Sequence, residues 1–177
     1  MTKEQSDLVN KKTRNRSFAY SVIFLSISLI LGYIESMFPL NVGYVGVRIG
    51  LSNIITILGL RMLDAKKTFI INILRILILG IVFSNLIRFI ISMVGFLFSF
   101  LAMYICLIRL NFGIRVSSIF GGAFHNIGQV FMVAIVTNNI NAIRIIYIYI
   151  ALGIISGLIV GIISEFCYIR LSKVVFE

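Results

Sequence analysis

Six stretches of this sequence run for about twenty residues almost without a charge, and they leave little room for anything but a membrane fold. The runs are Phe18–Phe38, Val45–Met62, Thr68–Ser84, Phe89–Ile108, Val116–Val136 and Ile145–Ile169. Each is about the length a helix needs to cross a hydrocarbon layer ~30 Å thick. They are continuously apolar, where a transmembrane strand would alternate apolar and polar residues. The connections are short: RMLDAKK, the Ser84–Arg88 stretch, RLNFGIR and TNNINAIR. Hydrophobic residues make up 60% of the chain and charged ones 12%, against roughly half and a quarter in soluble domains. That excess cannot be hidden in one small core. The expected fold is an all-α integral membrane protein, a compact bundle of six transmembrane helices over residues 18–177. Residues 1–17 form a polar tail, expected to be disordered or loosely helical. The first run is too long for a signal-peptide core and lacks a small-residue cleavage site, so it is read as a retained helix.

The basic residues orient the bundle. Lys3, Lys11, Lys12, Arg14 and Arg16 precede the first span. Arg61, Lys66 and Lys67 follow the second, Arg109 and Arg115 the fourth, and Arg170 and Lys173 the last. All fall on one side of an even-numbered bundle, which places both termini in the cytoplasm and the chain in the cell membrane. The net charge of +10 is then topology signal and attraction to anionic lipid. It does not point to nucleic acid.

A charged side chain facing lipid costs at least about 2.5–3.5 kcal/mol, so polar groups inside the spans must face the bundle interior, a cavity or the interface. They collect from the midplane outward: Glu35 on the first helix, Arg48 and Asn53 on the second, and the stripe Thr68–Asn72–Arg75 on the third. The segment GAFHNIGQV adds His125, Asn126 and Gln129. Gly46, Gly50 and Asn53 would share one face of the second helix. Asn53, Asn72 and Gln129 fit hydrogen bonding between helices as well as ligand binding, and Arg88 and Arg144 fit snorkelling to the outer headgroups. Arg75 has the least room for a bland reading, because a guanidinium stays charged at mid-membrane. Charge counting therefore suggests a positive, outward-facing pocket for a polar or anionic small molecule, lined by Glu35, Arg48, Asn53, Asn72, Arg75, His125, Asn126 and Gln129. MFPLNVGYVG, too apolar for an ordinary loop, is expected to fold back as a lid over it. Cys106 and Cys167 have no ligand spacing and read as packing residues. Gly153, Gly157 and Gly161 repeat every fourth residue, a spacing for close helix contact inside the bundle or with a partner.

GVRIGLSNIITILGL, the Asn72–Arg75 stripe followed by Gly80, and GAFHNIGQV closely resemble the Gx transporter family, often labelled heptaprenyl diphosphate synthase component I. That family looks like a branch of the substrate-binding S components of energy-coupling factor (ECF) transporters, and the resemblance covers about residues 18–170. It implies a six-helix fold that captures substrate from outside. It also implies partners, a shared transmembrane coupling subunit and two cytoplasmic ATPases. S components usually dock through small residues spaced by four on the first helix. Here Ser17 and Ser21 keep that spacing, while Ala19 is followed by Ile23.

Prenyl-chain elongation needs clustered carboxylates to hold magnesium and diphosphate. The chain has two aspartates, Asp7 and Asp64, far apart. Its one histidine has no placed carboxylate or nucleophilic cysteine to make a hydrolase triad or metal site, and no ATP-binding motif is present. The expectation is a transport subunit with no catalytic site and no cofactor of its own. Two alternatives stand beside it: a membrane accessory subunit of a prenyl diphosphate synthase, and a secondary transporter with an Arg–Glu–His proton route.

Overall fold

The computed structural model describes residues 3–37, 40–42, 45–47, 50–83 and 86–176. Among these residues there are six α-helices: α1 Lys3–Met37, α2 Asn53–Met62, α3 Ala65–Phe83, α4 Leu86–Tyr104, α5 Ile114–Val136 and α6 Ile146–Phe176. By length and composition α1, α4, α5 and α6 each contain a segment able to cross a membrane. The π-helical turn Ile105–Arg109 extends α4, and a 3₁₀ turn at Ile140–Ile145 leads into α6. The polar tail is helical from Lys3 onward, continuous with α1.

The second span departs from expectation. Instead of one helix over Val45–Met62, there is a short antiparallel hairpin, β1 Leu40–Val42 and β2 Val45–Val47, in register Leu40↔Val47. α2 follows with only 10 residues, about 15 Å of helix and half a hydrocarbon layer. The residues explain it. Alternating valines suit a pleated strand, and Gly50 sits at φ +77°, a left-handed conformation that a glycine adopts without a Cβ penalty. Gly46 therefore lies in β2 and Gly50 in the turn, so neither shares a helical face with Asn53.

α2 is nonetheless a centre of packing in the bundle. Every residue from Asn53 to Leu60 is buried. Ile54, Ile55 and Leu58 pack with Phe24, Ile71 and Val160, while Ile57 and Leu60 pack with Met103, Leu107 and Ile114. At full burial each such side chain contributes about 1.5–3 kcal/mol in water; within lipid, the gain comes instead from close van der Waals fit.

α1 and α3 run side by side in the same direction. Lys67 Nζ donates to Ser17 Oγ at 2.9 Å, Gly32 faces Leu79 and Arg75, and the Tyr33 and Phe83 rings meet at 5.1 Å. α2 returns between them, from Glu35 at one end to Lys67 at the other. At the Lys67 end, Arg61 lies over Tyr168 and Arg16 over Tyr20, and Arg115 pairs with Glu165. In the α2–α3 turn, burial pushes the Asp64 carboxyl up, but the hydrogen bonds and charge of Lys67 outweigh it and hold the group below its ordinary value.

Candidate functional site

A cavity of about 40 Å³ opens where α2 has not yet begun, between the turn at 50–52 and helices α1, α3, α4 and α5. Glu35 and Ser36 reach it from α1, Gly50 and Ser52 from the turn, Arg75 and Leu79 from α3, Phe89 and Ser92 from α4, and His125 from α5. Glu35, Arg75 and His125 are 8%, 5% and 8% exposed. A volume of this size holds a few water-sized groups, whereas pockets for larger ligands run to ~300 Å³ or more. Anything bigger enters only if the lining, the turn at 50–52 included, moves. β2 lies against α5, and no described residue of the hairpin lines the cavity.

Glu35 has a specific task. Its Oε1 accepts from Gly50 N–H, and its Oε2 accepts from Ser52 Oγ at 3.3 Å. One carboxylate of α1 thus ties down the turn that roofs the cavity, and the left-handed Gly50 aims its N–H at that acceptor. Replacing Glu35 with Ala leaves two buried donors without their acceptor, at about 1–3 kcal/mol each. Amide exchange at Gly50 should accelerate at least about fivefold. Unchanged protection there would mean that the turn is held by something else.

The other expected site residues divide. Asn72 Oδ1 accepts from Thr56 Oγ1 at 2.9 Å, and its Nδ2 donates to Thr68 O at 2.9 Å. Those bonds turn the lower part of the α3 stripe toward α2. Asn126 Nδ2 donates to Tyr149 O at 2.8 Å and ties α5 to α6. Asn53 is buried at the start of α2. Gln129 packs on Gly95 of α4, with Oε1 buried and no hydrogen-bond partner among the described residues. None of these four lines the cavity, and Asn72 and Asn126 hydrogen-bond between helices. Arg48 lies outside the described residues, and the positive excess expected of the pocket rests on it: the described lining pairs one carboxylate with one guanidinium and one imidazole. Sequence reasoning missed Ser36, Ser52 and Ser92, because single serines in apolar runs carry no distinctive signal.

The docking residues divide as well. Ser17 and Ser21 line an open groove between α1 and α3. Gly153, Gly157 and Gly161, also entertained as a partner face, turn inward instead. A Cβ at Gly153 would stand 2.6 Å from Gly122 O, one at Gly157 2.6 Å from Ser118 O, and one at Gly161 2.9 Å from Arg115 Cα. The glycine stripe is the α5–α6 contact, where backbones approach too closely for any side chain.

The family described as heptaprenyl diphosphate synthase component I matches residues 24–167. No curated protein and no solved structure matches the chain.

Proposed function

The chain belongs to the heptaprenyl diphosphate synthase component I family, and from that membership and the cavity we propose a multi-pass subunit of the cell membrane that captures a small polar or anionic molecule. In this reading both termini are cytoplasmic and the Lys67 end of the bundle faces the cytoplasm. The cavity, at the opposite end from Lys67, then opens toward the outside. The subunit carries substrate and leaves ATP hydrolysis to cytoplasmic ATPases reached through a shared transmembrane coupling subunit.

The observation that carries the reading is the meeting of Glu35, Arg75 and His125, from three separate helices, on one buried cavity. Intramembrane ionisable groups are expensive and mark ligand or ion pathways. The Arg–aromatic pairs at the opposite end suit a cytoplasmic headgroup belt. Small molecules that co-purify with wild-type protein and disappear from the His125→Ala variant, identified by mass spectrometry, test it. Uptake that collapses on ATP depletion but survives an uncoupler separates it from a proton-coupled carrier.

The family's description favours a second reading, a membrane accessory subunit of a prenyl diphosphate synthase. Co-purification of a soluble prenyl synthase, with a changed product chain length in its presence, would select that reading instead. The orientation has its own test. Reporters fused after Glu177 and in the Leu63–Asp64 connection just before Lys66 and Lys67 should both read cytoplasmic; an extracellular signal at either reverses the cavity's direction.

A further inference from the structure

Two apolar grooves of similar size run along the outside of the bundle, and they differ in one respect. The groove between α4 and α5, about 430 Å³, is lined by residues such as Leu97, Leu101, Phe120 and Phe124 and has no charged residue. The groove between α1 and α3, about 380 Å³, has an apolar floor that includes Phe18, Val22 and Leu74, but its lining also contains Arg14, Ser17 and Lys67. Because α1 and α3 run parallel from the Ser17–Lys67 contact, the charged groups sit together at one end. The apolar floor extends from there to Leu25, about 12 Å further along α1.

The mouth is built. Lys67 Nζ is held between Asp64 Oδ2 at 2.8 Å and Ser17 Oγ at 2.9 Å, which uses two of its three donors. Asp64 offsets much of that ammonium charge, and Arg14 adds a second cation beside it. Arg14 lies one helical turn before Phe18, where the apolar run of α1 begins, a position from which a basic side chain reaches the headgroups. A cationic mouth on an apolar channel complements an anionic head on an apolar tail.

We propose that the α1–α3 groove holds an anionic phospholipid, its phosphate against Arg14, Ser17 and Lys67 and one acyl chain laid along Phe18, Val22 and Leu74. This site is separate from the Glu35–Arg75–His125 cavity and stands whether or not that cavity captures a solute. A coupling subunit docking through Ser17 and Ser21 would cover the same groove, so the protein alone is the material for the test.

The chain contains no tryptophan, so Phe18→Trp places a single fluorophore in this groove and Leu101→Trp places one in the uncharged groove. Each variant is reconstituted into vesicles containing brominated phosphatidylglycerol or brominated phosphatidylcholine. At position 18, quenching should favour phosphatidylglycerol; at position 101 the two lipids should quench alike. Adding Arg14→Gln, at an exposed side chain, should weaken the preference at position 18 about fivefold, and adding Lys67→Gln should weaken it further. Arg109→Gln, on another element, should leave it intact. Equal preference at both positions, survival of the preference in the double variant, an equal loss with Arg109→Gln, or abolition by millimolar inorganic phosphate would each overturn the proposal.

Discussion

Gly157→Leu should leave a chain that reaches the membrane but no longer holds α5 against α6. A Cβ at this position already stands 2.6 Å from Ser118 O and 2.9 Å from Ile119 Cα. Both obstacles are backbone, so no rotamer change can make room, and the helices must separate along the whole Gly153–Gly161 stripe. Overpacking a fitted interior typically costs about 1–3 kcal/mol, and a backbone obstacle puts this substitution at the upper end. Thermal or detergent-driven unfolding of the purified protein measures it. Ile159→Leu, on the exposed face of α6, serves as the control and should change little. A Gly157→Leu protein that melts like the wild type would return the stripe to the role of a partner surface.

Long apolar runs announced α1, α4, α5 and α6, because only a helix satisfies the backbone of such a segment in lipid. The second run misled for a physical reason. Hydropathy measures how apolar a window is and is blind to the φ angle of Gly50 or to the pleat of Val42, Val45 and Val47. That error concealed the origin of the cavity. Because α2 starts only at Asn53, Asn72 meets Thr56, whereas Arg75, one turn further along α3, passes the helix start and reaches the lining of the cavity. Helical periodicity put Thr68, Asn72 and Arg75 on one face correctly, but the length of a neighbouring helix decided which of them lines the cavity. His125 and Asn126 divide by angle: adjacent residues point about 100° apart, so one faces the cavity and the other Tyr149.

The largest functional loss should follow from Arg75→Ala and His125→Ala. Under the proposed capture role, these groups supply a guanidinium and an imidazole to a site where little water competes. Truncating one partner of a desolvated charged contact costs about 2–5 kcal/mol. Retention of the co-purifying molecule should therefore fall at least about 30-fold, the low end of that range. Arg75→Lys separates charge from shape. It keeps the positive charge but loses the planar fork that grips a carboxylate or phosphate at two points, so it should recover only part of the binding. Arg88→Ala and Arg144→Ala alter exposed side chains that do not line the cavity, and should retain the molecule nearly as well as wild type. Melting behaviour decides how a loss is read. A monodisperse His125→Ala protein with wild-type melting and no retained molecule supports a binding site. A variant that unfolds early, while its folded fraction still binds normally, would show that Arg75 and His125 hold the helices together and that the molecule is captured elsewhere.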